Sequence, residues 1–238
     1  DRRQRQMCIR DRWSNSLSSR NVLNDSCFKG AYVMKNLIQN CQNADVIGYW
    51  LASDLFSDYY DTKEILYGGC GLLTKEGIRK PSYYAFKFMN ALGNRCIGKN
   101  ENAIVTRSGS KQISICCHNY KHFNFRYYLV EEDEIEVERQ AGMFEDNERL
   151  QMTVRIKNVE EGTYQIKIYS VNQEFGNIQN EWEKIGYYND LNMEEMEYLK
   201  SVTQPKIYLR QQESEDGVLE IETVLGSQEI QNIIITEI

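Results

Sequence analysis

Proline and histidine are the scarce residues of this 238-residue sequence, two of each. With so little proline there is no Pro-rich linker, and two histidines leave little scope for imidazole-based metal sites. No apolar run approaches the ~20 residues that cross a bilayer, and no charged start followed by an apolar stretch marks a signal peptide. The seven cysteines are an odd number without a CxxC pair, which argues against a disulfide framework and a zinc ribbon. Most are expected to be small buried hydrophobes, and the chain to be cytoplasmic. Lys plus Arg number 28 against 35 Asp plus Glu, a net charge of −7. That balance argues against a direct nucleic-acid surface. A GxSxG elbow, a P-loop and a GxGxxG turn are all missing, so serine acyl transfer, P-loop nucleotide binding and Rossmann chemistry lack support. Nothing calls for a cofactor.

What is present is ample core material: 41% hydrophobic and 11% aromatic residues. From Asn24, the residues Cys27, Ala31, Met34, Ile38 and Cys41 recur at the period of one helical face, with Asn24 or Asp25 as the expected cap. Residues 46–51 form an unbroken apolar run, too short for a helix and expected to be a strand covered on both faces, as in a parallel α/β sheet. A long loop follows. Pro81 then starts a helix with Ala85, Phe86, Met89 and Leu92 on one face and Gly93 at its end.

After Gly93 the period changes. Residues 104–107, 112–119 and 124–130 read as strands. Met152, Val154 and Ile156 alternate with polar residues, as do Tyr164, Ile166 and Ile168 beyond a turn at 160–162, which predicts a hairpin. Strands over 217–225 and 230–238 complete an antiparallel β-sandwich. A helical insertion at about 179–203 interrupts it, with Trp182 on a short helix and an Asn192/Glu195 capping box before Met193, Met196, Leu199 and Val202.

Two clusters invite chemistry. His118 and His122, near Cys116 and Cys117, have a metal-like spacing, but the surrounding aromatics favour ordinary sandwich positions, so no metal site is expected. The acidic run over 131–138 reads as a solvated edge. The loop after residues 46–51 holds Trp50, Ser53, Asp54, Phe56, Ser57, Asp58, Tyr59 and Tyr60. If those residues are a barrel strand, this is where barrel enzymes build their sites. Aromatic planes beside carboxylates suit sugars, although Trp50 and Phe56 would serve equally as core.

These segments also carry a resemblance. Residues 19–35, Gly48-Tyr49-Trp50, Ser53-Asp54, Gly68-Gly69 with Gly71-Leu72, Gly77-Ile78 with Lys80-Pro81, and Tyr84-Ala85-Phe86 resemble, in order and spacing, the end of the catalytic domain of glycoside hydrolase family 39, the β-xylosidase family. The resemblance implies an α/β plus all-β fold. The last two βα units of a (β/α)8 TIM barrel would occupy 13–95, and a β-sandwich 96–238. A whole barrel needs ~250 residues, so unpaired strand edges flanking residues 46–51 and a tendency to aggregate are expected.

The family hydrolyses glycosidic bonds with retention, through two glutamates ~5–5.5 Å apart. The resemblance places the acid/base upstream of this chain and the nucleophile at Arg12, which cannot form a glycosyl ester. Residues 1–12, rich in arginine and without periodicity, read either as a basic nucleic-acid arm or as a non-native scar, and the scar is favoured because residues 7–12 resemble translated sequencing-adapter DNA. By the same resemblance Trp13, Asn15, Trp50, Asp54, Asp58 and Tyr67 would wall the sugar site. Ser57 and Asp58 stand where the xylosidases usually carry a glutamate pair, and Tyr67 where they carry a histidine. The expectation is a β-xylosidase-like parent that binds xylose or xylo-oligosaccharides, with this segment itself inactive; because the family often forms oligomers, the resemblance also implies a homo-oligomeric parent. The sandwich is also similar to a branch fused to an arabinose-regulator-type helix-turn-helix module, so the alternative is a non-catalytic sugar sensor of a transcription regulator.

Overall fold

The computed structural model describes residues 20–44, 46–56, 62–109 and 112–238. Of the expected site residues, Trp13, Asn15 and Asp58 lie outside them, as do Arg12, Ser57 and the arginine-rich start.

Helix α1 spans Cys27–Asn40 and α2 spans Pro81–Met89. The strands are β1 (Arg95–Lys99), β2 (Ala103–Ser108), β3 (Gln112–His118), β4 (Leu150–Lys157) and β5 (Thr163–Val171), then β6 (Lys206–Glu213), β7 (Val218–Leu225) and β8 (Ile230–Glu237). Between β5 and β6 stand the short helices α3 (Ile178–Lys184) and α4 (Met193–Val202). Six strands form an antiparallel sheet in the order β1-β2-β3-β8-β5-β6, and β4 pairs with β7 in a second, two-stranded sheet.

Strand alternation sends side chains of the large sheet to opposite faces, and here both faces are covered. Val105, Ile113, Ile115, Ile166, Ile233 and Ile235 meet Ile156, Leu219 and Ile221 of the small sheet in one core. Ile104, Cys116, Val171 and Ile230 instead meet Ala31, Met34, Ile38, Tyr84 and Phe88 of the two helices. The result is three layers, helices on a large sheet on a small sheet. It explains why β3 is buried nearly end to end rather than at every second residue.

Several expectations change. The run over 46–51 joins no ladder: Ile47, Tyr49 and Leu51 are half-buried, whereas Val46 and Trp50 are 86% and 45% exposed. Among the described residues its only backbone pairing is at its end, where Leu51, Ala52 and Asp54 bond residues 70–73 in parallel. No described strand lies on its open face, so apolar composition alone does not bury it. The predicted hairpin is not one. β4 and β5 belong to different sheets, with their apolar faces opposed across the core, and period-two alternation is the same for either arrangement. Residues 124–130 hold a single 3-10 turn, Tyr127–Leu129, because Asn124 caps the bend through its side chain. Strands β1 and β6 were not anticipated. Both are sheet edges exposed on both faces, so neither carries an alternation signal.

The α1 cap is Ser26, and Asn24 and Asp25 are buried in the network described below. The α4 capping box forms as expected, although Met193 is exposed. Cys27, Cys116 and Cys117 are buried, but Cys41 and Cys96 are exposed and Cys70 is intermediate. Among the described residues no helix is long and apolar enough to cross a membrane.

Candidate functional site: a buried ion triad beneath the aromatic loop

Lys80 immediately precedes Pro81, whose fixed φ starts α2. Its side chain therefore turns back under the glycine loop, with no exposure at all. The ammonium contacts Asp25 Oδ1 at 2.5 Å and the Asp54 carboxylate, and donates to the Gly69 carbonyl at 2.9 Å. Both carboxylates are equally buried. Asp25 Oδ2 accepts from Gly68 N at 2.8 Å, and Asp54 Oδ1 from Gly71 N at 2.6 Å. Tyr67 donates its hydroxyl to the Asp54 carbonyl at 3.0 Å, and Asn24 Nδ2 donates to the Gly68 carbonyl at 2.9 Å.

The glycines follow from this packing. Gly68 has φ +80°, and a Cβ there would sit 2.4 Å from the Asn21 backbone. A Cβ on Gly69 would sit 2.4 Å from Asp54 Oδ1. Side chains at these positions would displace the triad they surround.

One cation is thus shared by two buried carboxylates. Burial, with repulsion from Asp54 added and the attraction of Lys80 opposing, pushes Asp25 up to about 6. For Lys80 burial pulls down, but the two aspartates outweigh it and hold the ammonium well above its ordinary value. Because Asp25 has a raised folded pKa, its contribution to stability is full below about pH 4 and is lost as pH rises through about 6. Asp25→Asn is therefore expected to flatten this slope. Relative to the parent it should gain about 1–3 kcal/mol between pH 4 and pH 7. Urea midpoints of both proteins across that range test this, and a parallel pair of curves would refute it.

Of the expected sugar-wall residues that are described, the structure binds two into the scaffold. Asp54 is 2% exposed with both carboxylate oxygens occupied by the chain. Tyr67 is 7% exposed and lines a crevice of about 460 Å3 with Arg20, Glu64, Glu136, Trp182 and Tyr187. Trp50 is 45% exposed and is not part of that crevice. Lys80 and Asp25 were missed as a pair. The signals were a lysine fixed before a helix-starting proline and an aspartate too close to a helix start to look like anything but a cap.

The histidines do not converge. His118 Nε2 lies 3.1 Å from the Glu101 carbonyl and Nδ1 accepts from Tyr120 N at 3.2 Å, the pattern of a neutral ring. Burial pulls it down to about 4. His122 packs against the Tyr120 ring. Among the described residues no group of three or more His, Cys, Asp or Glu could hold a metal.

Helices and a clamped aromatic loop thus cover one face of the large antiparallel sheet, and the small sheet covers the other. The family model for glycosyl hydrolases family 39 matches residues 6–220, and the chain belongs to that family. A β-xylosidase of Geobacillus stearothermophilus is 27% identical over 226 residues, 95% of this chain and 40% of that protein. An uncharacterised HTH-type transcriptional regulator of Staphylococcus aureus is 24% identical over 195 residues, 82% of this chain and 25% of the regulator. Among solved structures, a GH39 enzyme from Xanthomonas axonopodis pv. citri superposes with a TM-score of 0.78 at 21% identity. It matches 96% of this chain and 44% of its own. A monomeric β-xylosidase from Caulobacter crescentus superposes at 0.77 and 19% identity, over 96% and 45%. The chain thus spans less than half the length of these relatives.

Proposed function

We propose that this chain is the C-terminal part of a β-xylosidase-like retaining glycosidase and forms one wall of its sugar site. Residues 13–95 would be the last βα units of the (β/α)8 barrel, and the antiparallel layers its accessory sandwich. The carrying observation is the triad, which pins the loop behind Trp50, a residue 45% exposed near the end of residues 46–51. A fixed aromatic plane stacks on the C–H face of a pyranose at little entropic cost. Trp13, Asn15 and Asp58 would complete the wall, with Tyr67 and Asp54 shaping it from behind. Both catalytic glutamates would lie outside this segment, so it should bind xylo-oligosaccharides without cleaving them.

Calorimetric titration with xylotriose tests this. The chain is expected to bind with a Kd of about 1 mM, Trp50→Ala to weaken binding about tenfold, and an aryl β-xyloside to remain intact. Equal binding by the variant would remove Trp50 from the site, and turnover by the chain would overturn its inactivity.

The alternative is a sugar-sensing module of a helix-turn-helix regulator. It is favoured by the similarity to the staphylococcal regulators and by Ser57 and Asp58 in place of the usual glutamates. Both readings use the same wall and differ in what precedes it.

A further inference from the structure

The sandwich is open along one seam, where β1 and β2 of the large sheet face β4 of the small one. A cavity of about 590 Å3 lies there, walled by Val105, Met152 and Val154, with Arg95 and Arg107 among its lining. The register sets Arg95 directly opposite Arg107. Residues so placed share one face of the sheet, and like charges there repel. Among the described residues neither arginine forms an ion pair. The Nε of Arg107 is buried and has no hydrogen-bond partner. No aspartate or glutamate lines the cavity, although the chain as a whole is acidic. A repelling pair with an unsatisfied buried donor is a local defect for which the fold offers no internal remedy.

We infer that this seam is a binding site for a carboxylate-bearing sugar, a uronate unit of an oligosaccharide. A carboxylate is planar and accepts two parallel N–H bonds from a guanidinium fork, which would satisfy Arg107 and neutralise the pair. The pyranose ring would lay its C–H face on Val105, Met152 and Val154, and its hydroxyls would meet Asn100 and Asn158 at the rim. A bare anion such as phosphate would leave the apolar walls wet. The sugar body rests on the carbohydrate reading above, whereas the need for an anion does not.

Calorimetry of the 238-residue chain tests the inference with neutral xylotriose, a xylotriose carrying one glucuronate, and inorganic phosphate. The acidic sugar is expected to bind at least about tenfold more tightly than the neutral one, and Arg107→Gln or Arg95→Gln to remove that difference. Trp50→Ala should weaken the neutral sugar alone and leave the acidic sugar bound at the seam, so the preference should widen rather than vanish. Both glutamine variants should melt no lower than the parent, since repulsion is relieved, and this separates lost binding from lost folding.

Equal binding of acidic and neutral sugars, an unchanged preference in Arg107→Gln, or phosphate binding as tightly as the uronate would overturn the inference. So would self-association in sedimentation that Arg107→Gln abolishes, which would assign the seam to the acidic 131–138 segment of a second copy. If Trp50-dependent xylotriose binding fails while the Arg107-dependent preference survives, only the reading of the aromatic wall falls. The reverse outcome removes only the seam.

Discussion

Replacing Lys80 with methionine is expected to destabilise the fold by about 3–5 kcal/mol, the cost of leaving buried carboxylates without their cation. Methionine fills much of the volume, so the loss would report charge rather than a cavity. Asp25 and Asp54 would face each other in a site from which water is excluded, and one or both would have to take up a proton. Stability of Lys80→Met should therefore improve steeply on acidification, and adding Asp25→Asn and Asp54→Asn should restore part of it at neutral pH. Urea denaturation at two pH values measures both effects. A loss below about 1 kcal/mol would mean that the triad behaves as a solvated surface pair, which is the range such pairs occupy.

The second large effect is expected at Gly68. An alanine there must hold a left-handed φ of +80° and place its Cβ 2.4 Å from the Asn21 backbone. Left-handed backbone costs about 1–2 kcal/mol, and overpacking against atoms that cannot rotate away adds about 1–3 kcal/mol. The combined loss of about 2–5 kcal/mol should appear in the same denaturation experiment. Gly77→Ala serves as the control, because its φ is +83° but nothing lies within 4 Å of the added atom. Equal losses at the two positions would show that conformation alone, and not contact with Asn21, fixes the glycine.

The layers were legible where one element buries one face. The spacing of Cys27, Ala31, Met34 and Ile38 marked α1, and the Asn192/Glu195 pair marked α4, because both signals are local. Pairing between strands was not legible. Met152, Val154 and Ile156 alternate identically whether β4 joins β5 or faces it across a core, so only the fold decides. The edges β1 and β6 bury nothing on either face and leave no pattern to read.

The site divides in the same way. Trp50 was proposed because its place at the end of the apolar run 46–51 and its ring chemistry both lie in the sequence, and the resemblance to family 39 drew in Asp54 and Tyr67. Their buried roles were hidden, since Asp25, Asp54 and Lys80 are distant along the chain and meet only through tertiary packing. The Arg95–Arg107 pair depends on a register that no single strand specifies.

The place of β8 in the large sheet has a consequence for how the layers assemble. It is inserted between β3 and β5, both earlier in the chain, and is hydrogen-bonded to each along its length. During synthesis those two strands emerge with their inner edges unsatisfied and wait for a partner that follows the other described strands. Such late, long-range closure slows folding and lengthens the time that pairing-competent edges stay exposed. Until β8 is in place, the helices and the small sheet have no continuous surface to cover. The order of translation thus makes this strand the keystone of the assembly.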